Sequence, residues 1–583
     1  MKKKTITLFC LIFAMLFAAG CASKSSASAD EAVSQDAEET AAASEEGTVD
    51  LEELTPEQLV AEGMDYFYAT NGKLYDKEKA TEYFQKAADQ GNGLAFYYLG
   101  EVVQRSAEQD RFERALEYYE KAVELGCDRG LLGKGDLLEY GRGMEHDSEQ
   151  ARQLYEEALN RGCVLANLDL GDYYRDGVGV DRDYVKALDY YTAFLNDKST
   201  ADMDEDVYAR IGDLYFTGIA GIDRDYQEAL NWYTKGQEAG KASSIARLGD
   251  MYYQGYGVYR NYDTALSFYE EAAELGDGYA MCQCGHWYVD ENIDAAEHDA
   301  VKAENWFLKA TLKGYTNAYY ELGRLYSSYF DKFDLDDGSA VAQMLGCYQI
   351  GMQEGNTLCM RVIGDFFGFG FIEPTEENIK NAQECYELAR YAGDLNVYYS
   401  CGYFWASRMN DGKQAVEWYT RGAALGNHRC MLSLGSMYFN GFKGDVPVGQ
   451  SMSKGREWYM KAAEAGNASA MVSLGNIHYF GYLGLLDIHK GQELFSEAAA
   501  RGDGSAMWCI GHRYHGQSLL EPLDMREEVD RACYWYAKAM EIYGKANSDW
   551  VKEYIDGLVE YTSLSQDTAD QIMKEVHNNF KLG

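Results

Sequence analysis

Cys509, His512 and His515 stand at i, i+3 and i+6, which places a thiol and two imidazoles on one broad helical face. Such groups bind zinc and other borderline-soft metals. A closed structural zinc site needs about four ligands. No fourth is evident, so the trio reads as a partly buried Cys with two surface His, and no metal is expected. Cys282 and Cys284 are two residues apart on a helical pattern and point to opposite sides, so they cannot clamp one ion. The Gly-Lys pairs at Gly72, Gly133, Gly240, Gly412 and Gly544 all lack the following Ser or Thr of a phosphate loop. There is no His-Glu-x-x-His, Gly-x-Ser-x-Gly or Cys-x-x-Cys. The chain carries no convergent nucleophile, base or metal set, and no cofactor is expected.

The chemistry that does recur is acidic. Glu101, Asp136, Asp172, Asp213 and Asp250 each follow a Gly in five successive copies of one pattern, and Asp365 is a later copy. On a helix this position lies roughly 160° from the apolar residue before the Gly. The acids therefore form a ladder along the wall of a groove, able to receive a cationic protein or peptide. The plainer reading is an exposed slot that takes any solvated polar residue.

The elements that position the ladder repeat. A Gly preceded by Leu, Ile or Cys recurs from Leu99-Gly100 to Ile510-Gly511, with weaker copies at Gly63 and Lys134-Gly135. The thirteen copies stand 33 to 41 residues apart. A period of about 20–50 residues marks a solenoid or array. Each unit shows two helical patterns. The first has a small residue, then Leu-Gly, then an aromatic such as Tyr174, Tyr215 or Tyr252. The second has Ala with an aromatic four residues on, as in Ala187/Tyr191 and Ala229/Tyr233, one helix face. It closes on a Gly, from Gly91 and Gly126 to Gly466 and Gly502, suited to a left-handed C-cap. Turn glycines such as Gly177 and Gly179 join the two helices.

The order Leu-Gly, Tyr, Gly-x-Gly-Val, Ala, Trp-Tyr, Lys-Ala-Ala, Gly resembles the Sel-one-like repeat family, a longer-looped relative of the tetratricopeptide repeat. The likeness runs from about Pro56 to Lys545. It implies an all-α solenoid, a right-handed superhelix of stacked antiparallel helix pairs, with first helices lining a concave groove and an adaptor or scaffold role. The repeat around Gly100 lacks the inter-helix glycines, Asn196 to Asp206 lengthens one connection, and Asp331 to Asp337 interrupts another.

The ends differ from the body. Lys2, Lys3 and Lys4 precede an apolar run, Thr5 to Phe17, and then Ala18-Ala19-Gly20-Cys21. This is the pattern of a secretory leader, and Ala-Gly-Cys resembles a bacterial lipoprotein box with Cys21 as the lipidated residue. The Ser-, Ala-, Glu- and Asp-rich stretch after it cannot offset its ordering entropy and reads as a disordered tether. The expected organisation is a leader over 1–20, a tether over 21–57, the solenoid over 58–545 and C-terminal capping helices over 546–583, opening at Ser548 and Ser565. The formal net charge of −42 becomes −45 once the three leader lysines are removed. That excludes a basic phosphate-binding stripe, and so nucleic acid. Eleven Cys follow Cys21, most of them in slots that want a small apolar residue, so core thiols are expected; Cys509 with Cys533 is the first pair to suspect of bridging.

Together these features describe an exported lipoprotein anchored to a bacterial membrane at the cell envelope. Its expected function is non-catalytic protein binding, with a cationic protein or peptide held in the groove. An enzyme with an unrecognised groove site and a cell-wall glycan binder are the alternatives.

Overall fold

The computed structural model describes residues 54–518, apart from 107, 109, 201–205, 220, 291–292, 294–297, 334 and 370–374. The leader, Cys21, Cys533 and the expected capping helices lie outside the described residues. Among those described the chain is helical with no strand, and only isolated bridges join Asp411 to Val446 and Phe442 to Val448. Twelve helix pairs follow one another, from Pro56–Tyr68 with Lys77–Asp89 to Ala468–Tyr479 with Ile488–Ala500; Gly504–Ser518 opens a thirteenth. Pro56 starts the first helix because Thr55 and Gln58 form a reciprocal capping box.

One contact recurs within the pairs. In the pair Ala166–Asp176 and Tyr184–Asn196, Ala166, Leu170, Ala187 and Tyr191 are all fully buried. The Tyr191 ring lies against Gly171 so closely that a Cβ there would stand 2.2 Å from Cε1. The same seat holds Tyr119 on Gly100 at 2.4 Å, Tyr233 on Gly212 at 2.3 Å, Phe307 on Gly285 at 2.6 Å and Tyr459 on Gly435 at 2.3 Å. The repeat glycine is thus a notch for the second helix's aromatic ring. The closing glycines behave as the sequence implies: Gly91 (φ 84°), Gly276 (φ 95°) and Gly466 (φ 87°) take the left-handed conformation. Asp76, Asp147, Asp183, Asp225, Asp299, Asp411 and Asp487 cap second helices, each accepting a backbone N–H. Part of the chain's acidity therefore sits where the helix dipole favours it.

The contacts divide the chain into two compact units, one ending at Val397 and one beginning at Tyr398. In the first unit, first helices of neighbouring repeats touch directly and form an inner layer. This unit also meets itself across long sequence separations. Tyr75 N–H donates to the Leu312 carbonyl at 3.0 Å, and Lys313 Nζ donates to the Ala69 carbonyl at 2.8 Å. Lys77 pairs with Glu354 at 2.8 Å, and Tyr391 O–H donates to the Glu113 carboxylate at 2.8 Å. The first repeat therefore touches the seventh and eighth, and the second touches the ninth. In the second unit, Phe495 seats on Gly475 as Tyr459 does on Gly435. None of the ten described cysteines is in a disulfide, and Cys282, Cys284, Cys359, Cys385, Cys401 and Cys430 are buried, as core thiols should be.

The ring seat reverses the usual sign of a Gly-to-Ala change in a helix. At Gly346, inside Asp337–Gln353 with open space around its Cβ direction, alanine is expected to stabilise by about 0.5–1 kcal/mol. At Gly171 the overlap with Tyr191 is expected to destabilise by about 1–3 kcal/mol instead. Chemical denaturation of the two variants checks the opposite signs.

Candidate functional site

The ladder acids lie on the inner helices, each one residue past the notch glycine. A ring buried on that notch brings its hydroxyl out beside the acid. Tyr119 O–H donates to Glu101 at 2.6 Å, Tyr155 to Asp136 at 2.7 Å and Tyr191 to Asp172 at 2.6 Å. Tyr233 donates to Asp213, Tyr269 to Asp250 and Tyr386 to Asp365, all at 2.8 Å. A buried phenol needs an acceptor, and the acid supplies it. Where the seated ring is Phe84, Phe307 or Phe495, the acid's place holds Met64, His286 or Asn476. Tyr459 bonds Ser436 and Ser473 instead. The acid beside six of the seated tyrosines, and its absence beside the three seated phenylalanines, was present in the sequence and is the signal that would have identified this role, although Tyr348 and Tyr419 seat on glycines followed by Arg324 and Tyr403.

Ion pairing of the acid distinguishes two stretches of the ladder. Asp172 pairs with Arg175 at 2.6 Å and with Arg210 of the next repeat. Arg247 reaches Asp213 and Asp250, each at 3.2 Å, and Arg361 lies 3.7 Å from Asp365. These carboxylates are neutralised within the chain. Among the described residues, no ion pair reaches Glu101 or Asp136, and Asp169, one turn before Asp172, has neither ion pair nor hydrogen bond. Burial and the neighbouring Asp136 and Asp172 charges push Asp169 well above the usual carboxylate range. Burial raises Asp136 to about 6, against the pull of Arg142. It raises Glu139 to about 8, with Asp136 adding to the shift. Sequence reasoning missed Glu139, Asp169 and the ladder arginines, because their roles depend on contacts between repeats.

Two cavities lie along this inner face. One of about 370 Å³ is lined by Arg175, Asp213, Tyr233, Arg247 and Asp250. A larger one of about 920 Å³ starts at Asp250 and continues where the ladder breaks, past Trp287, His286 and Glu321. His286 packs edge-on to Phe307, with centroids 5.3 Å apart, and burial pushes its imidazole down to about 4, so it is neutral at pH 7. Cys509 is half-buried on Gly504–Ser518, and burial raises its thiol to about 11. The side chains of His512 and His515 lie outside the described residues. No group of His, Cys, Asp and Glu that could hold a metal occurs among the described residues, and none of their helices is long and apolar enough to cross a membrane.

Stacked helix pairs define an α-solenoid of the protein-interaction class. The Sel1 repeat family model matches residues 63–92, 93–127, 131–163, 164–193, 206–240, 242–277, 278–315, 358–394, 397–427, 428–467 and 468–503, and the chain belongs to that family. Its members are generally protein-interaction scaffolds. The unmatched stretch 316–357 holds a helix pair whose connection carries the turn Phe330–Phe333 and whose second helix runs to 17 residues, yet Tyr348 still seats on Gly323 at 2.4 Å. Among solved structures the chain is similar to c5321, a protective antigen of uropathogenic Escherichia coli strains with an SLR fold. The identity is 22%, covering 90% of this chain and 97% of that one, with a TM-score of 0.27. It is also similar to a Sel1 repeat protein from Oxalobacter formigenes, at 23% identity over 45% of this chain and 99% of that one, TM-score 0.32. The immunity protein Pa5087 from Pseudomonas aeruginosa matches at 18% identity over 46% and 84%, TM-score 0.28. A comparison with curated proteins gives no match.

If the ladder acid's first task is to receive the buried hydroxyl, Tyr233→Phe leaves the ring seat filled and removes only that bond. The expected loss is about 1–2 kcal/mol. In a double-mutant cycle with Asp213→Asn the two changes should couple by at least about 0.5 kcal/mol. Additive effects in chemical denaturation would contradict the pairing.

Proposed function

We propose that the chain is a membrane-tethered, non-catalytic scaffold at a bacterial cell envelope. Its first unit holds a basic segment of a partner protein against the inner wall. Membership of the Sel1 repeat family supports protein binding. The formal charge of −42 favours a cationic partner. The observation that carries the reading is the split in the ladder. From Asp172 to Asp250 the carboxylates are matched by Arg175, Arg210 and Arg247. Around Glu101 and Asp136 no ion pair matches them among the described residues, and a lysine or arginine of a partner, passing close to Asp169, would supply the missing charge. Cys21, following Ala18-Ala19-Gly20, supports the lipid anchor, with the acidic stretch after it as the leash.

Cross-linking of the lipoprotein in its own cells would recover the partner. Asp169→Lys, which disturbs no hydrogen bond, is expected to lower that recovery several-fold, whereas Glu82→Lys on an outer helix should leave it unchanged. Equal recovery from both variants would remove the basic-segment reading.

The larger cavity favours a second reading, a cell-wall glycan. Tyr253 and Tyr256 line it with aromatic rings, and Gln254 and Gln283 with carboxamides. Retention on isolated cell wall that soluble sugar fragments abolish would favour it over a protein partner. The anchor has its own test: Cys21→Ser should move the protein from the membrane fraction to the soluble fraction.

A further inference from the structure

The residue three places after the ladder acid faces the same phenol in three neighbouring repeats. After Glu101 it is Gln104, whose Nε2 donates to the Tyr119 hydroxyl oxygen at 2.9 Å. After Asp172 it is Arg175, whose Nη1 donates to the Tyr191 oxygen at 3.3 Å. In each case the phenol accepts an N–H and donates its own O–H to the acid. The repeat between them has Glu139 in this place. Its Oε2 lies 2.8 Å from the Tyr155 oxygen, which is also 2.7 Å from Asp136 Oδ1.

A phenol has one proton to give. Two ionised carboxylates cannot both be satisfied by it, so one of them must bring a proton of its own. Burial decides which. Glu139 is 2% exposed, and its Oε1 has no hydrogen-bond partner. A carboxylate oxygen there would be an uncompensated buried charge, whereas the carbonyl oxygen of a neutral acid tolerates the site at much smaller cost. Asp136 feels the Arg142 guanidinium.

We propose that Glu139 is a neutral carboxylic acid at neutral pH, donating to Tyr155 in the place where its neighbours use an amide and a guanidinium, and that losing this proton is a pH-sensitive switch in the inner wall of the first unit. The groups around it leave the proton in place. Asp136 and Tyr155 share the bond, Asp172 and Asp176 face it from the next inner helix, and Asp169 stands beyond them. Tyr140 and Tyr173 are neutral neighbours. His146 Nδ1 is 2.7 Å from the Glu139 backbone carbonyl and not from its carboxyl. Arg142 acts on Asp136 and Tyr140, and Arg175 is paired with Asp172 and Asp176.

The direction follows from linkage. Glu139 holds its proton more tightly folded than unfolded, with its value raised from 4.5 to about 8. The stability it contributes is full below its unfolded value and is lost as pH rises through the folded one. Across that window the unfolding constant of this part rises about tenfold per pH unit. Above it, two charged carboxylates face one hydroxyl where Arg129–Glu139, Ser148–Asn160 and Ala166–Asp176 meet, and the inner wall loosens.

The test labels glutamate side-chain carboxyls with ¹³C in the full chain and titrates them from pH 4 to 10. One glutamate carboxyl should remain protonated at pH 7, titrate on the alkaline side of neutrality, and be missing from the spectrum of Glu139→Gln. That variant keeps a donor in the slot, as Gln104 does, so its stability should fall less steeply between pH 6 and pH 9 than that of the wild type. The proposal is overturned if every glutamate carboxyl has titrated by pH 6. It is equally overturned if the late resonance survives in Glu139→Gln, or if aspartate labelling places the late proton on Asp136. Should Glu139→Gln fail to fold, the wild-type glutamate and aspartate titrations decide alone.

Discussion

An aromatic ring pressed onto a helical glycine organises the rest of this chain. Because Gly171 has no side chain, the Tyr191 ring can lie against the first helix's backbone, and the two helices close at a distance no other residue would permit. Alanines such as Ala187, one turn before the ring, remove bulk from the same face. The seat is repeated along the chain, so each hairpin inherits the same geometry. A hairpin this small cannot bury its apolar face alone, and stability accumulates through contacts with its neighbours.

The choice between Tyr and Phe at the ring position then sets the chemistry of the inner wall. Phenylalanine fills the seat and asks for nothing further, as at Phe84 and Phe495. Tyrosine brings a hydroxyl to the edge of the core and requires an acceptor. The acid that meets this need is half-buried, so it in turn draws a cation. In the middle of the first unit that cation comes from the following repeat, with Arg210 on Asp172 and Arg247 on Asp213. A bond that begins inside one hairpin thus ends by tying two together. Toward Asp136 the chain of demands stops at carboxylates without a matching arginine, and the surplus negative charge remains in the wall.

Much of the fold was legible in the sequence because the ring seat, its alanines and the left-handed closing glycines are all local, and their period repeats. The start of the first helix at Pro56 is local as well, set by the Thr55 cap. The ladder positions were also legible, but their partners were not. An acid and its tyrosine stand 18 to 21 residues apart on different helices, and no helical periodicity links them. Only the residue after the notch glycine carries the information: an acid beside six of the seated tyrosines, and Met64, His286 or Asn476 beside the phenylalanines. Glu139 was hidden further. Its role requires knowing that a slot filled by amide and guanidinium donors elsewhere is filled there by an acid.

The contacts between distant repeats follow a different rule. Tyr75, Lys77 and Glu113 belong to the early repeats, and their partners Leu312, Glu354 and Tyr391 lie in the seventh to ninth. None of these residues is part of the repeat pattern, so nearest-neighbour reasoning gives no hint of them. They matter because a solenoid held only by adjacent contacts is soft: small changes in each repeat-to-repeat angle add up along the chain. Contacts between the first repeat and the eighth constrain the sum of those angles. The inner wall carrying Glu101 to Asp250 lies between the joined repeats, so its curvature is fixed by the seam as well as by the ring seats. A surface shaped in this way is set before any partner arrives, and the ordering cost at binding falls on the partner's segment alone.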